Sequence, residues 1–240
     1  MAAAFLESRR YAALLGATTE FNKMEGIAVD SRDKKVYVAI SYLEKGMNKE
    51  KDAAADHIQI NKVKAGATFA ISTKGGQKDQ NGESIESEWA GVFMDVPPAL
   101  LGEDIAADAL GNTAAVDKIA NTDNLFFSEK MRTLFIGEDS GTHVNNFLWA
   151  YNVDTGKLAR LLTVASGAES TGLQVLDNLN GYAYVMTNYQ HAGEWIKSMP
   201  EEEKERLIEL AKKEYGVNKY GTPRYYLDAN VGYLGGMPGF

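Results

Sequence analysis

The sequence predicts an all-β fold with added helices, organised as part of a β-propeller, and three observations carry that prediction. The composition sets Gly 23, Tyr 12, Phe 9 and Trp 3 against only 5 prolines, a balance that suits strands and turns better than a helix bundle. Three segments superimpose: MEGIAVDSRDKKVYVAIS from Met24, TDNLFFSEKMRTLFIGED from Thr122 and STGLQVLDNLNGYAYVMTN from Ser170. Their internal spacing also agrees, because the same ten residues separate Gly26 from Val36, Asn124 from Leu134 and Gly172 from Tyr182. A strand-turn-strand unit that recurs with long connections is the sequence form of propeller blades, whose first strands line a central channel.

The elements follow in order. Blade cores fall near 24–41, 122–139 and 170–188, each with a polar residue, then Gly or Asn, an apolar strand, a polar turn and a second apolar strand. GATFAIST and EWAGVFMDV, after the first core, read as further strands. Residues near 43–57 and 97–120 read as irregular or helical surface insertions. FLWAYNVDTGKLARLLTV reads as a hairpin turning at Asp154-Thr155-Gly156-Lys157. SMPEEEKERLIELAKKEYG predicts an amphipathic helix near 199–215, with Ser198 and Glu201 as a capping box, an acidic first turn, and Leu207, Leu210 or Ala211, and Tyr215 on one face. The whole chain reads as one partial propeller unit.

Charge and composition exclude several classes of function. A net charge of −8 leaves no basic stripe to neutralise phosphates, so nucleic acid is not an expected partner. Zero cysteines remove disulfides, zinc-thiolate sites and thiol catalysis, so a metal here must take oxygen or imidazole ligands. No apolar run reaches the about 18 residues of a membrane span, and MAAAFLESRRYAALLG does not have the order of a secretory signal, since its arginines follow the apolar residues.

The polar residue ahead of each inner strand is expected to face the channel. These positions are Glu25, Asp123 and Thr171, with Glu169 two residues before the last. Carboxylates converging from different strands are the geometry that hard cations require, with oxygens within about 2.5 Å. The alternative stays open that Asp123 and Glu169 only make turns.

Taken in order, GATTEFNKMEGIAVD, DNLFFS, IGEDSGTHVNNFLWAYNVDTGKLARLLTVASGAESTG and TNYQHAGEW resemble the PhoX-type alkaline phosphatases, from about Ala13 to Glu194, with a weaker match at TPRYYLDAN. The resemblance implies a six-bladed propeller, of which this chain matches the later half, with calcium and iron at the channel mouth and a phosphate monoester as substrate. It implies that Glu25 and Glu169 are metal ligands and that Asn145, Asn146 and a Gln190-His191-x-Gly193-Glu194 segment lie at the substrate; Glu138 and Asp139, at the end of an inner-blade strand, are weaker calcium candidates. His143 and His57 are expected to be a hydrogen-bonding and a surface residue. The family's cysteine ligand has no counterpart here.

Three blade cores do not close a six-bladed ring, so a complementary propeller half or a second copy of the chain is the expected partner. The expected activity is metal-dependent hydrolysis of a phosphate monoester. Two rivals remain: a non-catalytic propeller module within a larger assembly, and a propeller lactonase centred on Glu25-Gly26. A periplasmic or extracellular location is implied by the resemblance alone.

Overall fold

The repeat is visible first in its turns. Each copy must reverse direction within a few residues, and each places a left-handed residue at the same position: Lys34 (φ 54°), Arg132 (φ 50°) and Asn180 (φ 54°), the last followed by Gly181 (φ 86°). All three lie eight residues after Gly26, Asn124 and Gly172. Short polar side chains close the same turns, because Asp30 Oδ1 accepts from Asp33 N at 3.0 Å, Ser128 Oγ from Met131 N at 3.1 Å and Asn178 Oδ1 from Gly181 N at 3.0 Å.

Each turn joins the first two strands of a separate antiparallel sheet in this computed structural model, which describes residues 2–49, 56–79, 81–165, 167–193, 200–217, 219–221 and 229–240. Sheet 1 runs β1 (Met24–Asp30), β2 (Lys35–Ile40), β3 (Ala67–Thr73) and β4 (Gly91–Asp95) in sequence order. Sheet 2 repeats the pattern with β5 (Thr122–Ser128), β6 (Thr133–Glu138), β7 (Phe147–Asn152) and β8 (Lys157–Thr163), and its last hairpin turns through the expected 154–157 region with Gly156 at φ 69°. Sheet 3 holds β9 (Glu169–Leu179), β10 (Tyr182–Gln190) and β11 (Asn230–Pro238), with β10 in the middle. The insertions at 43–63 and 97–120 contain little regular structure among the described residues beyond single 3₁₀ turns at 45–47 and 98–100.

Every first strand carries a bulge at the Gly or Asn of the repeat. The register slips between Met24 and Ile27 in β1, between Thr122 and Leu125 in β5, and between Thr171 and Gln174 in β9. A bulge bends its strand and redirects the side chains around it. It also lets neighbouring strands approach, because β1 lies against β5 and β5 against β9. At Gly26 a Cβ would overlap the Asp123 carbonyl and stand 2.8 Å from Leu125 N, and at Gly137 it would overlap the Ser170 carbonyl. Asn124 Oδ1 accepts from Gly172 N at 2.9 Å, and Ser128 Oγ bonds Asp177, so sheets 2 and 3 are tied by hydrogen bonds as well.

Strand alternation sorts the apolar residues into two interfaces. Ala28, Tyr37 and Ala70 of sheet 1 pack on Phe127, Leu134, Ile136 and Trp149 of sheet 2, with Leu100 and Ile119 from the second insertion filling the outer part. The opposite face of sheet 2, through Phe126, Phe135 and Leu148, packs on Leu173, Val175 and Val185 of sheet 3. The first insertion covers sheet 1 from the other side, placing Leu43, Met47 and Ile60 on Val38, Ile40 and Phe69.

At the turn end, the buried Arg132 guanidinium binds Asp30 at 2.9 Å, Asp154 at 3.2 Å, Glu129 at 3.4 Å and also Asp33. The hydrogen bond to Asp30, with Asp154 behind it, holds the guanidinium charged against its burial. This fork joins the hairpin turns of sheets 1 and 2.

The helices contribute little to the core. α1 (Ala2–Leu6) and α2 (Ser8–Leu14) bury no residue. α3 (Glu201–Tyr215) starts after Pro200, while Ser198 of the expected capping box and Glu194 fall outside the described residues. Its sheltered face is Lys204, Leu207, Ile208 and Ala211; Leu210 and Tyr215, expected on that face, are exposed. Spacing of i, i+3, i+4 and i+7 from Lys204 produces that face, whose lysine stem adds apolar cover. No helix among the described residues is long and apolar enough to cross a membrane.

A methyl group at Gly137 should wedge sheets 2 and 3 apart. Gly137→Ala is expected to cost about 1–3 kcal/mol, whereas Gly141→Ala, with open space around its Cβ, should stay within about 0.5 kcal/mol. Urea midpoints measure both, and equal losses would rule out the close approach.

Candidate functional site

The starts of β1, β5 and β9 and the ends of β6 and β10 meet at one end of the array, opposite Arg132. Lys23 (φ 43°) and Asn121 (φ 44°) each stand three residues before Gly26 and Asn124, and their left-handed backbones turn the chain into β1 and β5. The same device places Glu25 and Asp123 on one mouth.

Lys23 Nζ lies 3.0 Å from Asp139 Oδ2 and 3.7 Å from Glu25 Oε1. Burial works against its ammonium, but the hydrogen bond and charge of Asp139 outweigh it and hold the Lys23 pKa above the ordinary lysine value. Asp123 is shifted the other way in chemical consequence: burial pushes its carboxyl pKa up, and the Glu25 and Asp139 carboxylates push it further, against the opposing pull of Asn124 and Lys23. The mouth therefore concentrates negative charge around a single described ammonium. Thr171, the third residue at the Glu25 and Asp123 position, is buried, and its hydroxyl has no hydrogen-bond partner among the described residues.

Glu169 begins β9 on the neighbouring side. Its Oε2 accepts from Gln190 Nε2 at 3.1 Å, and its Oε1 lies 3.8 Å from His191 Nε2. His191 is exposed and left-handed (φ 55°), so it projects from the end of β10 rather than continuing the strand. A cavity of about 540 Å³ opens between the two groups, lined by Asp139, Ser140, Gly141, His143, Asn146 and Glu169 among others.

Glu138 and Asp139, adjacent in sequence, part company here because successive strand residues face opposite ways. Asp139 reaches the mouth. Glu138 is sealed in the core, where Oε1 accepts from Trp149 Nε1 at 2.7 Å and Ala120 N at 2.9 Å, and Oε2 accepts from Phe147 N at 2.9 Å and pairs with His143 Nδ1 at 3.0 Å. Four partners occupy the carboxylate, which makes it the anchor of the loop. Burial pushes its pKa up, and His143, Trp149 and Ala120 pull it back only in part. His143 Nε2 faces the Ala115 carbonyl at 3.2 Å, an acceptor only, so that nitrogen carries a hydrogen.

The paired asparagines fasten the 140–146 loop. Asn146 bonds Ser140 through both ends of its amide, donating to the Ser140 carbonyl at 3.0 Å and accepting from its N–H, and Asn145 Nδ2 donates to the Val164 carbonyl at 3.1 Å. Asn146 nonetheless lines the cavity; Asn145 is not among its lining residues. Asn121, absent from the expected set, is a buried hub whose Nδ2 donates to the Ser41 and Lys64 carbonyls at 2.8 and 2.7 Å while Oδ1 accepts from Ser140 and Thr142 hydroxyls at 2.7 and 2.8 Å. Extending the repeat three residues upstream would have singled out both Lys23 and Asn121.

A calcium ion is matched in donor kind: carboxylate oxygens from β1, β5 and the end of β6, and an orphaned hydroxyl on β9. Among the described residues no three His, Cys, Asp or Glu side chains converge closely enough to encircle an ion. No protein-family model, no curated protein and no solved structure matches the chain.

The neighbouring carboxyls predict opposite outcomes. Glu138→Gln sets an amide donor against the Phe147 N–H or the His143 ring and should cost about 2–3 kcal/mol, while Asp139→Asn should change stability by less than about 0.5 kcal/mol. Thermal or chemical denaturation decides it, and a tolerant Glu138 would contradict its anchoring role.

Proposed function

We propose that this chain carries the cation-binding mouth of a metal-dependent phosphate monoester hydrolase of the PhoX type, built on a partial β-propeller. The observation that supports it is the meeting of Glu25, Asp123 and Asp139 with one lysine, beside Glu169 and a 540 Å³ cavity, at the shared end of the inner strands of three sheets. The propeller reading rests on the same repeat: three sheets stacked in sequence order, each opening with a bulged inner strand.

Glu25, Asp123 and Asp139 would hold calcium, with iron as the second metal that the resemblance implies. Bound there, the cation supplies Lewis acidity and neutralises phosphate charge. The Lys23 ammonium orients an anionic group toward the mouth. Glu169 Oε1 lies against His191 Nε2 and would hold the ring facing the phosphate, and the cavity beside Ser140 and Asn146 accommodates the organic group of the ester. The shell is completed by carboxylates from a complementary half or a second copy. Cleavage would take place in a periplasmic or extracellular setting, where calcium is abundant.

One observation favours a non-catalytic module instead: Lys23 already lies between Asp139 and Glu25 and serves as the cation of the mouth. Calcium titration separates the readings. Binding to the folded state should raise stability by about 2.7 kcal/mol at a calcium concentration 100 times its dissociation constant, and Asp139→Asn should remove most of that gain. Hydrolysis of p-nitrophenyl phosphate, assayed beside a simple lactone, should depend on calcium and fall at least about ten-fold in Glu169→Gln. A melting temperature indifferent to millimolar calcium, with neither ester cleaved, leaves the module.

A further inference from the structure

Each sheet of the array presents two faces, and the internal repeat assigns each face a fixed use. Residues at the position of Leu125 and Phe127 in β5, and of Leu173 and Val175 in β9, turn toward the preceding sheet. Their equivalents in β1 are Ile27 and Val29. No described sheet precedes sheet 1, and Ile27 is 64% exposed, Val29 43% and the adjoining Met24 56%. The first insertion covers the outer strands of this face through Leu43, Met47 and Ile60, and leaves this inner stripe uncovered.

The other end of the array has the converse surface. In sheets 1 and 2 the face containing Ala28 and Tyr37, or Phe126 and Phe135, receives the sheet that follows. On sheet 3 that face carries Leu176, Tyr184, Met186, Val231 and Tyr233, as the pairings Tyr184 with Leu176 and Met186 with Tyr233 require. Tyr184 and Tyr233 stack edge to face at 5.7 Å, yet Tyr233 is 68% exposed and Val231 82%. Apolar side chains on this scale at both ends of a stack mark contact surfaces.

We propose that a second copy of this chain covers both ends, with sheet 3 of each copy seated on sheet 1 of the other. The two surfaces are complementary by construction, since the contact repeats the one sheet 2 makes with sheet 3 inside a single chain. A twofold axis forms both contacts at once and closes the stack of sheets. Neither stripe carries a charged side chain, so the net charge of −8 is kept away from the contact. The assembly stands independently of the hydrolase reading.

Light scattering coupled to size-exclusion chromatography of the 240-residue chain tests it. The wild-type chain should elute as a dimer. Ile27→Lys and Tyr233→Glu should each weaken the dimer at least about ten-fold, equivalent to about 1.4 kcal/mol, with unchanged circular dichroism. Mixed together, the two variants should regain a dimer, because one contact is then wild-type and the other pairs opposite charges. A wild-type chain that stays monomeric at every concentration overturns the proposal, as does a dimer that neither substitution weakens or a mixture that fails to reassociate.

Discussion

Two glycines that face a neighbouring strand set the distance on which the rest of the structure depends. At Gly26 and Gly137 the backbones of adjacent sheets come so close that no side chain fits between them. Glycine is used here for the space it leaves rather than for an unusual backbone angle. With the inner strands held that near, the residues immediately upstream, Lys23, Glu25 and Asp123, share one mouth with the end of β6. Strand ends that were a few ångströms further apart would present the same side chains to water separately, and their mutual influence would be screened away.

The two ends of the inner strands hold charge in different ways. Around Arg132 one buried guanidinium bonds Asp30, Asp33, Glu129 and Asp154 directly, so each carboxylate of the cluster has the cation as a partner. At the mouth Lys23 reaches Glu25 and Asp139, and Asp123 faces those two carboxylates and bears a raised pKa whose first cause is burial. A guanidinium that bridges all of its carboxylates locks turns together, whereas a carboxyl perturbed by burial and like charges is the kind of group that clusters at functional sites.

Between these ends the loop that follows β6 is held by polar groups in the core. Glu138, Asn121 and Asn146 bond backbone N–H and carbonyl groups that would otherwise be buried without partners. Such networks cost little when every member is satisfied and a great deal when one is missing. They give the cavity beside Asp139 and Glu169 a rigid wall, so that its shape follows from the core rather than from loop flexibility.

Strands, turns and the threefold repeat were legible in the chain because they are local: alternation of apolar residues, a ten-residue offset, and turn residues such as Asp30, Ser128 and Asn178 act within a few positions. The hairpin at 147–163 and the starting point of α3 near 200 were readable for the same reason. The roles of Glu138 and Asp139 were not, since a pair of adjacent acids looks the same whether or not one of them is turned inward to meet Trp149 and His143. Leu210 and Leu207 were likewise indistinguishable until packing chose a face of α3. The sequence by itself determined most of the strands, though not β11, and that three strand-turn-strand segments are copies; only the tertiary structure decided which carboxylates meet, because proximity between Lys23, Asp123 and Asp139 spans about a hundred residues of chain and arises from sheet stacking, which no local pattern encodes.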